Sequence, residues 1–342
     1  MNKIKKALVL ILSIVSVLSC YTEQAIAAPK TMKNGMLFDA EFYTATYPDV
    51  ASAVGNRESA LFNHYLTFGI QERRLPYEGA DPGAIAASVQ AQAPAAPTAP
   101  ATPSVAAPRS FLKRYRGKNV SIVGDSISTF GGSMPEGYVQ HYPTEYMSSR
   151  DKTWWMQTLL AGGMNFVANA SWTGSRVTGY TMSDTGNPGC SQKRARDLFG
   201  KDKAPNLIMI MMGTNDFLGS VPLGSYTVGK PAVSGAIHDF ADAYNTMLIT
   251  IRNIHPGAQI ICLTCPPCFC ISSGTKYQND LGYTIDDYNN VIRTVAQGNG
   301  IRVCDINACG INLDNYTAYL GDGIHPNEQG MALIASYILN HL

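Results

Sequence analysis

Three things are nearly missing from this sequence of 342 residues, and each absence removes something. Net charge is the first. With 26 Lys and Arg against 25 Asp and Glu, the chain carries no electrostatic footprint for nucleic acid or an anionic membrane, so no nucleic-acid partner is expected. An apolar run of bilayer length is the second: the stretch from Ala7 to Leu18 falls short of the roughly 20 residues that a permanent spanning helix needs. The third absence is local. Between Gly79 and Pro108 there are no aromatic residues, the only charge is Asp81, and more than half of the positions are Ala or Pro. Such a stretch cannot build a core. Its prolines favour extended backbone, so residues 79–109 read as a linker.

What is present starts with the leader. Lys3, Lys5 and Lys6 precede the apolar stretch, and Ala25-Ile26-Ala27 follows it after polar residues, the layout of a secretory signal. Residues 1–28 are therefore expected to be a signal peptide cleaved after Ala27 or Ala28, which makes the protein secreted or cell-surface. The alternative is lipoprotein processing, because Val17-Leu18-Ser19-Cys20 resembles a bacterial lipobox with Cys20 carrying the lipid. Loss of Cys20 leaves seven of eight cysteines, an odd number that cannot all pair internally. Cys262, Cys265, Cys268 and Cys270 superficially resemble metal-ligand spacing, yet Cys262 lies in the strand-like run IICLT, where a small buried residue suits a sheet. A disulfide among Cys265, Cys268 and Cys270, or between Cys304 and Cys309, fits an exported protein better, and no metal site is assigned.

The linker separates two unequal parts. Upstream, residues 32–78 are rich in aromatics at spacings that suit two or three short helices. Tyr47-Pro48-Asp49-Val50, His64-Tyr65 and Gly69-Ile70-Gln71-Glu72-Arg73 resemble a short aromatic module that recurs in exported bacterial proteins, often beside catalytic domains. Two readings stand: a helical spacer whose aromatics are its core, or a contact with cell wall or glycan. Downstream, residues 110–342 alternate apolar and amphipathic segments. NVSIVGD, MNFVANAS, NLIMIMMG, AQIICLT and IRVCDI read as strands, and helices are expected near 152–162, 237–254, 284–298 and 326–341. This alternation predicts a parallel sheet covered on both faces. The expected class is α/β: a flavodoxin-like three-layer α/β/α sandwich with a central parallel sheet of about five strands, plus the small helical N-terminal module.

In such sheets ligands collect at the carboxyl ends of the strands, and four unusual blocks fall there or in terminal loops. They are Gly124-Asp125-Ser126, Asn169 through Gly174, Gly213-Thr214-Asn215-Asp216, and Asp322-Gly323-Ile324-His325-Pro326. Taken in order, the blocks resemble those of the GDSL esterases, specifically the SGNH hydrolases, over about residues 110–342. Ile127 stands where the older family label has leucine, outside the reacting groups.

The chemistry argues in parallel. A serine hydroxyl needs a base to become nucleophilic, and a neutral imidazole is the usual one near pH 7. His325 is the candidate base for Ser126. Asp322, three residues earlier, can hold the other ring nitrogen, and Pro326 suits the first position of the helix that follows. The backbone N–H groups of Ser126 and Gly174 and the side-chain amide of Asn215 are the oxyanion donors that the resemblance implies. Each residue alone has an ordinary reading as turn former, bend, cap or surface histidine; the ordered set is what singles them out. Asp125 and Asp216 read as loop-bracing hydrogen bonders, while His64, His141, His238, His255 and His341 lack a comparable context.

Tyr138, Tyr142, Tyr146, Trp154 and Trp155 follow the serine near the expected mouth. They read either as a platform for sugar rings or, for the tryptophans, as the packed start of a helix. GDSISTF, Pro-x-Gly-Tyr and Thr-Trp-Trp resemble a family branch common in gut and rumen bacteria, and for exported members removal of acetyl groups from polysaccharide is a frequent role. No long apolar lid segment is visible. The expected activity is an exported serine O-acetylesterase acting on an acylated carbohydrate through an acyl-serine intermediate, with no cofactor. The alternatives are a short-chain carboxylesterase or lipid esterase, and a surface glycan-binding protein without catalysis.

Overall fold

The computed structural model describes residues 28–32, 36–70, 72–81, 106–183, 185–231 and 235–342. The expected signal and lipobox lie outside the described residues, as does most of the expected linker. The chain divides into two compact units, on either side of residues 93 and 94. Among the described residues no helix is long and apolar enough to cross a membrane.

The larger unit is built on five parallel strands: β1 (Asn119–Gly124), β2 (Asn165–Asn169), β3 (Leu207–Met211), β4 (Gln259–Leu263) and β5 (Arg302–Cys304). Their spatial order is β5-β4-β3-β1-β2, the flavodoxin-like arrangement in which the chain reverses direction beside the first strand. All five lie within the segments expected from hydrophobic pattern. β3 is central and wholly buried, which explains why its sequence, LIMIM, is apolar at every position instead of alternating.

Alternation along each strand assigns side chains to two cores. Val123, Ile208, Ile210, Ile260 and Cys262 face one layer, with helices α5 (Phe240–Ile254) and α6 (Ile285–Gly298). Val120, Ile122, Met209, Met211, Ile261 and Leu263 face the other, with α1 (Arg109–Tyr115), α2 (Trp154–Gly162) and α8 (Glu328–His341). Two short helices, α3 (Gln192–Arg196) and α4 (Thr214–Leu218), follow β2 and β3, and α7 (Tyr316–Tyr319) precedes the last loop. α5 buries Phe240, Tyr244, Met247, Leu248 and Ile251, a stripe at helical spacing, and each such side chain contributes about 1.5–3 kcal/mol by leaving water. α6 opens with a capping box between Thr284 and Asp287.

The smaller unit has helices at Ala40–Thr46, Pro48–Val54 and Glu58–His64 and a two-strand ribbon pairing Lys30–Thr31 with Leu37–Phe38. Its core is Phe38, Tyr43, Val50, Leu61, Phe62 and Tyr65. The motif residues serve that core. Gly69 leaves room for the Tyr43 hydroxyl and the Tyr65 ring, and Arg74 pairs with Asp49 at 2.9 Å while lying over the Tyr47 ring at 4.8 Å.

Candidate active site

β1 ends where a side chain no longer fits. A Cβ on Gly124 would collide with Ser128, and Met211 O stands only 3.0 Å away, so the strand can pass into a tight turn only through glycine. Asp125 then caps the single 3₁₀ turn Ser126–Ser128 by accepting the Ile127 N–H at 3.1 Å. Ser126 is thereby lifted to the carboxyl end of the sheet, 5% exposed. Two buried tryptophans lock the turn from below: Trp154 Nε1 donates to Ser128 Oγ at 3.1 Å and Trp155 Nε1 to Ser128 O at 3.0 Å. The packed reading therefore holds for both tryptophans, and Tyr142 is equally buried, its hydroxyl donating to Pro326 O. None of these three rings can be a sugar platform. Tyr138 and Tyr146 remain half-buried, and Tyr138 pairs with Trp172 at 4.3 Å between centroids.

From the far end of the chain, the loop before α8 brings His325 onto the serine. His325 Nε2 lies 2.8 Å from Ser126 Oγ, and His325 Nδ1 lies 2.6 Å from Asp322 Oδ2. The other oxygen of Asp322 accepts the backbone N–H groups of Ile324 at 2.9 Å and His325 at 2.7 Å, so one carboxylate both folds the loop and orients the ring. Burial works against ionising Asp322, but the adjacent imidazole and these hydrogen bonds outweigh it and hold the carboxyl below its ordinary range. One detail differs from expectation. α8 begins at Glu328 with Asn327 as its cap, whose Oδ1 accepts Gln329 N and Gly330 N at 3.0 Å, so Pro326 precedes the helix instead of opening it. With Asn327 as the cap, Pro326 falls one residue outside it, so proline's fixed φ is not used as a helical position.

The remaining residues meet through the loops after β2 and β3. Gly174 adopts φ +73°, the left-handed region that favours glycine, and a Cβ there would face open space. Its neighbour Thr173 stands 3.4 Å from Thr129, beside the serine turn. Asn215, in the first turn of α4, donates one amide N–H to Ser175 O at 3.1 Å, which aims the amide along the Gly174 loop. Asp216 braces the same loop, accepting Val177 N–H at 2.7 Å and Thr178 N–H at 3.0 Å, and burial pushes its pKa up to about 6 against the pull of those bonds.

Sequence reasoning missed two residues. Arg194 on α3 is fully buried and donates to the carbonyls of Gly124, Ala170, Gly186 and Asn187 and to Ser175 Oγ, tying the end of β1 to both sides of the Gly174 loop. No motif announces it. His141, which lacked sequence context, stacks on His325 with ring centroids 3.8 Å apart and planes 16° apart.

His141, Asp322 and His325 form the one cluster among the described residues whose ligand atoms gather within 4.8 Å of one another. The cluster does not suit a metal ion. An ion lies about 2 Å from an imidazole nitrogen and near its ring plane, and two stacked, nearly parallel rings share no such point. The CLTCPPCFC cysteines do not gather as ligands either. Cys262, Cys265 and Cys268 are buried, burial pushes their thiols up, and none of the seven described cysteines forms a disulfide, so the expected pairings are not present.

A serine, imidazole and carboxylate in hydrogen-bonded series at the end of a parallel α/β sheet define an acyl-transfer type of site. The chain belongs to the GDSL-like lipase/acylhydrolase family, whose model matches residues 122–333, and it is thus an ester-hydrolysing enzyme. Among solved structures it is similar to a candidate GDSL-like lipase from Bacteroides uniformis, at 23% identity over 66% of this chain and 94% of that one, with a TM-score of 0.49. A candidate GDSL-like lipase from Bacteroides ovatus is similar at 22% identity over 65% of this chain and 96% of that one, with a TM-score of 0.48. No curated protein matches the chain.

Proposed function

We propose that the protein is an exported serine esterase that removes acetyl groups from polysaccharide. The observation that carries the catalytic part is the series Ser126 Oγ, His325, Asp322, at 2.8 Å and 2.6 Å. Ser126 Oγ attacks the ester carbonyl while its proton passes to His325 Nε2, and Asp322 stabilises the imidazolium through Nδ1–H. The tetrahedral oxyanion is held by the N–H groups of Ser126 and Gly174 and the amide of Asn215. Collapse of the intermediate expels the alcohol, which takes the proton from His325. Water, deprotonated by the same imidazole, then cleaves the acyl-serine and releases acetate and free Ser126.

Carbohydrate as the alcohol side is supported by two features. The Tyr138 and Trp172 pair stands beside the Gly174 loop, where a half-buried aromatic surface suits the apolar face of a sugar. A cavity of about 380 Å³ lies beyond Tyr146, outside the serine site itself, and its lining side chains Glu145, Lys152, Gln157 and Glu328 suit a hydroxyl array of a longer substrate better than an acyl chain. Export rests on the leader sequence.

The test is hydrolysis of p-nitrophenyl acetate and octanoate by the full chain, with Ser126→Ala in parallel, followed by acetate release from acetylated polysaccharides. The expected result is a preference for acetate that disappears in the variant, and acetate release from at least one polymer. A preference for octanoate would replace the proposal with a lipid esterase, and turnover unchanged in Ser126→Ala would remove the serine mechanism.

A further inference from the structure

The loop between the serine turn and α2 grips the catalytic groups from two directions. On one side the His141 N–H donates to Thr129 Oγ1 at 2.9 Å, and Thr129 Oγ1 donates to Ser126 O at 2.9 Å. On the other, the Tyr142 hydroxyl reaches Pro326 O at 2.7 Å, directly after His325, and the Tyr146 ring covers Gly321, directly before Asp322, so closely that a Cβ there would collide with it. Between these anchors the His141 ring lies parallel on His325, with its Nε2 2.9 Å from the Tyr146 hydroxyl. Tyr142 stands edge-on to both imidazoles.

We propose that His141 is a positioning residue for the reaction: its ring, stacked on His325, fixes the plane of the base toward Ser126 Oγ and stabilises the imidazolium formed when the serine loses its proton. The inference rests on the serine-esterase reading. Two restraints act on His325 in different directions. Asp322 fixes the ring along its Nδ1–H axis but leaves rotation about that axis open; a parallel ring at 3.8 Å closes that rotation. The face of a neutral aromatic ring also attracts a cation. For that, His141 must itself stay uncharged. Burial, followed by the charge of the neighbouring His325, pushes its pKa well below the ordinary histidine value, while Asp322 opposes this only in part.

The experiment uses the full chain with His141→Phe, His141→Gln, His141→Ala and Tyr146→Phe, reading kcat and KM on p-nitrophenyl acetate together with Tm. Aromatic and cation–π stacking energies correspond to about a ten-fold effect in rate. His141→Phe keeps the stacked ring and should stay within about three-fold of the parent kcat. His141→Gln and His141→Ala should lose about ten-fold or more in kcat with KM nearly unchanged. Tyr146→Phe, which loses the hydroxyl alone, should fall between them. If Phe fell as far as Ala, or Gln matched the parent enzyme, the stacking role would be overturned; a loss in all variants that tracks Tm would overturn it in favour of a purely structural role. A parent enzyme without esterase activity, or one indifferent to Ser126→Ala, would instead fail the underlying reading.

Discussion

Asp322→Asn is the substitution for which the structure fixes the outcome most tightly. Oδ1 accepts two backbone N–H groups, from Ile324 at 2.9 Å and His325 at 2.7 Å, while Oδ2 faces His325 Nδ1 at 2.6 Å. An asparagine has one acceptor oxygen, and the two N–H groups claim it. Its NH₂ must then face Nδ1, which can accept from it only as the tautomer protonated on Nε2, the nitrogen that has to take the proton from Ser126. The base is present but filled. Loss of the correct tautomer in a serine triad costs about 10⁴-fold in kcat, equivalent to about 5.5 kcal/mol of transition-state stabilisation. The accompanying loss in folding stability is one charge-assisted hydrogen bond, about 1.5–3 kcal/mol, because the two loop bonds survive. The rate term is the larger, so the variant should be folded and nearly inactive. The assay is kcat on p-nitrophenyl acetate beside urea unfolding. A kcat within ten-fold of the parent, with the fold intact, would refute the tautomer argument.

Asn215→Ala removes a proposed oxyanion donor and should lower kcat by about 100- to 1000-fold with little change in KM, measured on the same ester. Asp216→Asn tests a pH linkage. Asp216 has its pKa raised to about 6, so on acidification the native state binds a proton before the unfolded chain does, and stability through this group rises as pH falls from 7.5 toward 5. Urea unfolding at these two pH values should show the parent gaining about 1 kcal/mol relative to the variant, and an equal response in both would contradict the shift. Arg194→Met leaves the buried carbonyls of Ala170 and Gly186 short of a donor, while Gly124 O keeps the Trp172 N–H and Asn187 lies at the surface. At about 1–3 kcal/mol for each orphaned group, the variant should lose about 2 kcal/mol or more in urea unfolding. An unchanged unfolding midpoint would mean that the guanidinium's own desolvation cancels its bonds.

The parts of this protein that sequence determines are those whose cause is local. LIMIM and IICLT read as buried strands because they are short apolar runs in a chain where such runs alternate with amphipathic segments, and the stripe of α5 follows from spacing alone. The His325 and Asp322 pairing is also local: three residues and one carboxylate with two acceptor oxygens close the loop. Ser126, Gly174 and Asn215 became legible only as an ordered set, since each alone is ordinary turn chemistry. Pro326 shows the limit of even local rules, because Asn327 competes for the same helix start and its side chain caps two N–H groups where proline caps none.

Other features depend on contacts between distant segments, and no periodicity encodes those. Trp154 and Trp155 lie at the expected mouth in sequence, yet both point under the serine turn because their indole N–H groups find Ser128 there. Arg194 looks like any basic residue on a short helix until four carbonyls, from the end of β1 and both sides of the Gly174 loop, converge on it. His141 acquires a role only when a segment 184 positions further along the chain folds its own histidine against the ring, as the Tyr142 to Pro326 bond across the same interval records. Sequence by itself determined the sheet and the layers, because those follow from local pattern, and it singled out the candidate reacting groups as an ordered set. Tertiary structure alone decided which neighbours hold those groups in line, because orientation is set by packing across the chain.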